Sequence, residues 1–581
     1  MKLSYSILNL IKSLYKSIRR FPISIALSTA FVILTIVISE IRPYNNQNLI
    51  ENLEKISMIL ALGFVLSLCI TMYFEKKKLD TISQKIIATI SSSTFLILYY
   101  FFLLKNFNMI SITRYIGISL ILYISFVFIP YLEKKDNFEL YVIKIFGRFF
   151  ITAIYSAVLY GGTSAILATI DLLLEINIPS DFYFYAFLIV AGIFAPTYYL
   201  GGLPSITDTF TKKNYPNIFK VLLLYIVMPL ISIYTIILYI YFIKIIITVK
   251  WPVGLVSHLV LWYSVITAAV LFFITPIYKD NKFANKFMNI LPKSIIPLII
   301  LMFISIGIRI KAYGITENRY YVIALSIWVF GAMIYFALRK NHRNVILPIS
   351  FSIIILISVF GGPINSYSVS LRSQSTRLKN ILIGNNMLSN NTIIKNETLS
   401  DNDKAEISSI IEYINNDHEL SDIDYLPKDF KIETMNKVFG FSLYYNDYYR
   451  QNNFYFNLTQ NGSPLDINGY DYLFDSNNSY ENGSNSQLKI NYDHSSNEFK
   501  FINGSETLYS KDLKELVEKL VDKYGISEKG TNIDLKDMTF EDENSEVKIK
   551  FLITNIYGSK NSTDNGIALD GINFYVVIKM K

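Results

Sequence analysis

The stretch SIIPLIILMFISIGIRIKAYGITENRYYVIALSIWVFGAMIYFAL, residues 294–338, decides the fold class. Two apolar runs flank a polar island, RIKAYGITENRYY (309–321), that holds two arginines, a lysine, a glutamate and one glycine. Each run is as long as a membrane span requires. A hydrocarbon core of roughly 30 Å takes about 20 residues at 1.5 Å rise. The island is then either solvated punctuation between two membrane helices or the lip of a working site.

Working outward, the same pattern recurs. Apolar runs near 22–40, 56–74, 84–104, 112–132, 149–174, 182–203, 219–243, 253–275, 290–308, 320–338 and 345–362 read as eleven spans. The run beginning at 219 exceeds the length of a span and is expected to tilt or to continue past the surface. The first run is too long for the core of a cleaved signal peptide, and no small-residue cleavage site follows VILTIVISEIRPY. Before it, Ile7, Leu10, Ile11, Leu14 and Ile18 recur at helical spacing opposite Lys12, Lys16 and Arg19. That pattern predicts an interfacial amphipathic helix over residues 1–20.

Charge divides the chain near residue 363. Residues 1–363 carry 32 Lys/Arg against 14 Asp/Glu, and residues 364–581 carry 22 against 32. The high pI of 8.9 and mean hydropathy of +0.35 therefore reflect basic residues beside apolar runs, not a nucleic-acid-binding surface. With the amino terminus inside, inner segments such as KSIRR, EKKK, TKKN and RKNHR hold 23 Lys/Arg and outer segments hold 9. The asymmetry favours that orientation, and an odd span count places the carboxy-terminal part outside. The basic LRSQSTRLK after the last run is the exception.

The fold expected is an all-α polytopic membrane bundle, residues 21–363, followed by a juxtamembrane helix, 364–390, and a soluble α+β domain with an antiparallel sheet, 391–581. In that last part Asn-Gly and Asp-Gly turn signals separate alternating runs. FKFINGSETLYS and IALDGINFYVVIKMK read as hairpins. SDNDKAEISSIIEYINN reads as a helix capped by Ser400 or Asp401, and SKDLKELVEKLVDKYGI as one capped at Ser510 and stopped by Gly525.

At the polar island the sequence resembles DUF4153, a bacterial family of multi-pass membrane proteins of unknown function. YGGTSAILATIDLLLEI (160–176), KWPVGLVSHLVLWY (250–263), RIKAYGITENRY (309–320) and GGPINSYSVSLRSQSTRLKNIL (361–382) carry the likeness. The island element is also similar to the related DUF4173 proteins. The resemblance implies a bacterial inner-membrane protein and no particular activity.

Candidate site residues follow from the cost of charge in a span, about 2.5–3.5 kcal/mol at its centre on insertion scales. Asp171 and Glu175 lie one helical turn apart on one face. Lys244 lies at comparable depth and is their natural partner, and His258 follows in the next run. Arg309, Glu317 and Arg319 of the island fall on the same outer face. Together these seven are the candidate polar cluster. Each has a plainer reading: a helix-end position or ion pair for the carboxylates, a helix-to-helix hydrogen bond for His258, and a Gly314 turn with solvated charges for the island. The pieces PTYYLGGLP and YIVMPLIS, each with a proline inside an apolar run, could mark broken helices of the transporter kind.

A single cysteine, Cys69, and four scattered histidines supply no metal-ligand spacing, so no metal and no cofactor is expected. No phosphate loop or catalytic motif occurs. The expected role is binding, sensing or scaffolding at the cell envelope without catalysis. The alternatives are a transporter or flippase that uses the polar cluster and a membrane-embedded transferase. The expected partners are the lipid bilayer and either an envelope protein or an anionic lipid or glycan, with no nucleic acid.

Overall fold

The computed structural model describes residues 12–42, 47–79, 81–104, 107–133, 137–174, 178–248, 255–339, 341–444, 453–459, 467–476, 487–493, 496–504, 506–525, 530–560 and 567–581. It divides into two compact units. The first comprises Met1–Asn380 with Asn416–Glu419, and the second comprises Ile381–Asn415 with Leu420–Lys581.

The first unit is all helical. After a short helix over 12–20 come α1 (Pro22–Ile41), α2 (Gln47–Lys77), α3 (Ile82–Leu103), α4 (Met109–Phe128), α5 (Phe138–Leu174), α6 (Ser180–Gly201), α7 (Asn217–Thr248), α8 (Leu255–Ile274), α9 (Lys282–Tyr313), α10 (Glu317–Leu338), α11 (Ile346–Phe360) and α12 (Ser366–Gly384). Among the described residues, ten of these helices, α1 to α10, are long and apolar enough to cross a membrane. The eleventh apolar run forms α11, a helix of 15 residues. At 1.5 Å per residue it reaches about 22 Å. The bundle is centred on α8, which has 61% of its apolar window buried, whereas α3 has 6% and lies at the periphery. Leu271 and Ile274 of α8 pack with Leu298, Ile299 and Met302 of α9 and Met333 of α10 in one core. Many large apolar side chains of these helices face outward, as a lipid environment permits.

The prolines of α6 and α7 bend the backbone pattern without breaking the helices. A π turn, Val190–Phe194, precedes Pro196, and another, Leu222–Val227, precedes Pro229. Proline has no N–H for the carbonyl four residues back and clashes with it, and one extra residue in the turn relieves the clash. For Pro196 that carbonyl belongs to Gly192, and the Ser28 hydroxyl of α1 donates to it. A neighbouring hydroxyl thus satisfies a group that hydrocarbon would leave bare. The approach is close: a Cβ at Gly192 would lie 2.3 Å from Val32 Cγ2.

Polar ties join the helix ends on one face. The Arg20 guanidinium donates to both Glu75 oxygens at 2.7 and 2.8 Å and to the carbonyls of Leu203 and Pro204. Lys77 pairs with Glu133 at 2.6 Å, Lys212 with Asp280 at 2.9 Å, and Arg343 donates to the Leu132 carbonyl at 2.6 Å. Asn137 donates to the Phe210 carbonyl at 2.7 Å. These residues come from the segments that the charge reading groups on the inner side, so the basic loops do share a face.

The second unit mixes helices and sheets. A two-stranded ribbon, β1 (Leu388–Ser389) and β2 (Thr392–Ile393), leads to α13 (Asp401–Asp417) and the short α14 (Met435–Phe439). Ser400 caps α13 as expected, accepting from Asp403 N at 3.2 Å, and Ile407, Ile410, Ile411 and Ile414 form its buried stripe. Then follow β3 (Asn453–Leu458), β4 (Tyr472–Asp475), β5 (Leu488–Asp493), β6 (Glu498–Asn503), β7 (Glu506–Asp512), α15 (Lys514–Tyr524), β8 (Thr531–Ile533), β9 (Thr539–Glu543), β10 (Val547–Lys560) and β11 (Ile567–Met580). Six of the strands order as β4-β11-β10-β3-β8 with β9 also on β10, and β5-β6-β7 form a second sheet. All pairings are antiparallel except β3 with β8. Leu516, Val517, Leu520 and Val521 of α15 join Phe499, Phe501, Phe551 and Phe574 in the core.

Two local expectations are corrected. FKFINGSETLYS is the β6–β7 pair, but IALDGINFYVVIKMK is one strand, β11, rather than a hairpin. Its Asp-Gly is a bulge in the β10 pairing, and Gly571 is needed there because a Cβ would lie 2.4 Å from the Tyr557 ring. The α15 helix begins at Lys514, with Asp512 accepting from Lys514 N at 2.8 Å. Ser510 lies in β7, because strand pairing with β6 claims its backbone. Gly525 ends the helix at φ 70°, as expected.

Gly192→Val is expected to lower the thermal unfolding midpoint of the protein in detergent, at a cost of about 1–3 kcal/mol for forced overpacking. Gly161→Val, where a Cβ meets nothing within 4 Å, should leave it within error.

Candidate functional site

The polar island is built from a turn and a stripe. Helix α9 ends at Tyr313, and Gly314 follows with φ 68° and ψ −179°, a conformation nearly exclusive to glycine. Helix α10 begins three residues later. On α12, Ser366, Ser370, Ser373, Gln374 and Arg377 recur at the spacing of one helical face. That stripe meets the turn.

Ile315 N donates to Ser373 Oγ at 2.8 Å. Gln374 Nε2 donates to the Tyr313 and Ile315 carbonyls at 3.0 and 3.1 Å, and Arg377 reaches the Tyr313 carbonyl at 3.4 Å. Arg319 turns back onto the same loop, donating to the carbonyls of Tyr313 and Gly314 at 3.1 and 2.8 Å, with its guanidinium 5.7 Å from the Tyr313 ring centre. Tyr320 donates to the Ile364 carbonyl at 2.6 Å, and the Tyr321 and Ser366 hydroxyls share a hydrogen bond of 2.8 Å. The loose carbonyls at the α9 end are thereby closed by side chains. A Cβ on Gly314 would lie 2.8 Å from Gln374 Nε2, so the glycine is required by both its φ and its neighbour.

Beside the turn, Glu317 accepts from the Ser370 hydroxyl and lies 2.8 Å from His418 Nε2. The His418 side chain is fully buried and packs on the Tyr367 ring at 4.3 Å. Serine, histidine and carboxylate stand together, but not as a nucleophilic triad. Ser370 Oγ and the Glu317 carboxylate both address Nε2, Ser370 at 3.3 Å, whereas a triad puts its acid on the opposite ring nitrogen. Ser370 is also buried completely. Asp417, next in the chain, has its carboxyl pushed above the ordinary range by partial burial and then by the Glu317 charge, with His418 opposing.

The other expected residues are dispersed. Asp171 is half-buried and accepts from Ile178 N at 3.2 Å, closing its own loop. Glu175 lies outside the described residues. Lys244 and His258 are exposed, and no ion pair joins Asp171 to Lys244 among the described residues. Arg309 is half-buried near the end of α9, its Nε without a hydrogen-bond partner. Of the seven, the structure gathers Glu317 and Arg319 into one network. Residues that the sequence reading did not single out, Ser370, Ser373, Gln374 and His418, complete it. The α12 stripe was a findable signal, since five polar residues repeat at helical spacing. His418 had none, because its partners lie 48 and 101 positions away in the chain.

An all-helical unit with ten membrane-length helices and a second unit of helices and antiparallel sheets define a polytopic membrane protein with an α+β portion. The bilayer is its environment. The chain belongs to the DUF4153 family, a domain of unknown function, whose model matches residues 25–395. The match takes in the first four membrane helices as well as the motif stretches. An uncharacterized protein of Pasteurella multocida (strain Pm70) is 21% identical over 276 residues, 47% of this chain and 47% of that protein. The chain thus spans about half the length of the curated relative it matches. No solved structure matches the chain.

Gly314→Ala is expected to cost about 1–3 kcal/mol of stability, the strain of a side chain in a glycine-only conformation, read as a lower thermal midpoint. Asp417→Asn tests the raised carboxyl. The folded state holds that proton more tightly than the unfolded chain, so ionising Asp417 costs stability once the pH exceeds its ordinary value, about 3.9. The asparagine variant should unfold at a higher temperature than the parent at pH 7, and the gap should close as the pH falls toward about 4.

Proposed function

We propose that this is an integral protein of a bacterial inner membrane, amino terminus inside, with its α+β portion, about residues 391–581, on the extracytoplasmic side. Its role is to bind, sense or scaffold at the cell envelope, without catalysis. The observation that carries this reading is the use made of the island. Glu317, Arg319, Gln374 and Arg377 are spent on hydrogen bonds that lock a loop to α12. Unit 1 gives way to unit 2 within that same continuous helix, between Asn380 and Ile381. A transporter needs its charged residues around a shared path, and Asp171, Lys244 and His258 do not converge. A transferase needs an accessible carboxylate or nucleophile, and the Ser370–His418–Glu317 cluster is closed. The grouping of basic loops on one face supports the orientation through the preference of Lys and Arg for the cytoplasmic side. This orientation requires the short α11 to make the odd crossing.

The test is sidedness. In a Cys69→Ala background, Glu518→Cys, exposed on α15, is treated with a membrane-impermeant thiol reagent on intact cells or spheroplasts. Labelling before lysis is the expected result. Labelling only after lysis places the α+β portion with cytoplasmic partners and ends the envelope reading.

A further inference from the structure

The face of the bundle that gathers the basic loops also holds a cavity of about 720 Å³. Glu139, Lys212, Thr275, Lys279, Arg343 and Asn344 are among the residues that line it. It is distinct from the island and shares no residue with it.

Its floor accepts hydrogen bonds. Asn344 is 1% exposed and Glu139 6% exposed. The Asn344 amide nitrogen donates to the Glu139 carboxylate and to Thr275 Oγ1, the latter at 2.9 Å. Thr275 in turn donates to the Leu271 carbonyl at 2.8 Å. With its amide nitrogen turned to Glu139 and Thr275, Asn344 Oδ1 points the other way. That oxygen is buried with no hydrogen-bond partner. Buried polar atoms in native proteins are satisfied with few exceptions, and an exception that lines a cavity calls for a donor in the cavity.

Its rim seeks an anion. Lys212 is already paired with Asp280. Lys279 has the Tyr278 ring at 5.8 Å, and Arg343 gives one N–H to the Leu132 carbonyl. Neither meets a carboxylate among the described residues, and both are exposed. One wall is His342, set against the rings of Tyr278, Tyr335 and Phe336 at 6.2, 5.8 and 5.4 Å. Burial pushes its pKa below the ordinary value, so this wall stays uncharged at neutral pH.

A simple anion fits the rim but offers no donor to the Asn344 oxygen and meets the acceptor oxygens of Glu139. A simple cation fits the floor and is repelled at the rim. We infer that the cavity binds a phosphoester whose alcohol part carries hydroxyl or amine donors: phosphate at Lys279 and Arg343, donors at Asn344 and Glu139. The source is either a phospholipid headgroup or a soluble phosphoester. Phosphatidylglycerol and sn-glycerol 3-phosphate represent the two.

The full chain is reconstituted in phosphatidylcholine nanodiscs, whose headgroup has a phosphate and no donor, and its thermal midpoint is measured. A saturable rise on adding sn-glycerol 3-phosphate, absent with sulfate, identifies a soluble source. A rise seen only when phosphatidylglycerol is included in the disc identifies a lipid source. In either case the rise should vanish in the Lys279→Gln/Arg343→Gln double variant. Arg343 also holds the Leu132 carbonyl, so the variant's own midpoint in pure phosphatidylcholine is the baseline against which its rise is read. Asn344→Leu should also abolish the rise. If it fails to fold, the rim variant still decides. A rise that survives the rim variant, an equal rise with sulfate, or no rise with either phosphoester overturns the inference.

Discussion

A chain that crosses hydrocarbon has no water to satisfy its backbone, and this constraint shapes the bundle more than any other. Most of each span meets it by helical hydrogen bonds alone. Where proline withdraws a donor, the structure answers locally with a π turn and, at Gly192, with the Ser28 hydroxyl from the facing helix. The small residue that permits this approach and the proline that requires it lie four positions apart. The polar atoms inside the bundle follow the same rule, as when Thr235, Ser264 and Thr267 each return their hydroxyls to a carbonyl four residues back.

Charge obeys a related rule. The basic loops collect on one face and are tied there by Arg20 with Glu75, Lys77 with Glu133 and Lys212 with Asp280. Pairs this exposed contribute little stability individually. The bidentate Arg20–Glu75 pair is different in kind, because the same guanidinium also closes the Leu203 and Pro204 carbonyls. It fixes how the first two helices meet the end of α6. Glu139 and Asn344 are the buried counterpart of these ties and leave one acceptor open to a cavity.

At the island, the same chemistry serves closure. Ser373, Gln374, Arg377 and Arg319 converge on three consecutive carbonyls and one amide of a turn that only glycine can make. The Glu317–His418 contact then brings a short segment from beyond α12 into the first unit. Two polar regions of one bundle thus do opposite things. One spends its side chains on its own turn, and the other, among the described residues, keeps two cations without a carboxylate and one buried acceptor oxygen without a donor.

The sequence alone determined the membrane class, the position of the ten membrane-length helices found among the described residues, the grouping of basic loops and the α+β character of the remainder. These depend on composition and on periods of 3.6 and 2, which are local. It also marked Glu317, Arg319 and the Gly314 turn. Partnership was decided only in three dimensions. Asp171 and Lys244 matched in depth and sign, but a shared depth does not put two helices side by side. His418, 2.8 Å from Glu317, carried no local signal, since that contact joins residues 101 positions apart in the chain. The Asp-Gly of β11 reads as a turn by itself and becomes a bulge because β10 pairs along its whole length. The cavity between Glu139, Lys279 and Asn344 likewise arises from a helix start and two loops that no sequence period connects.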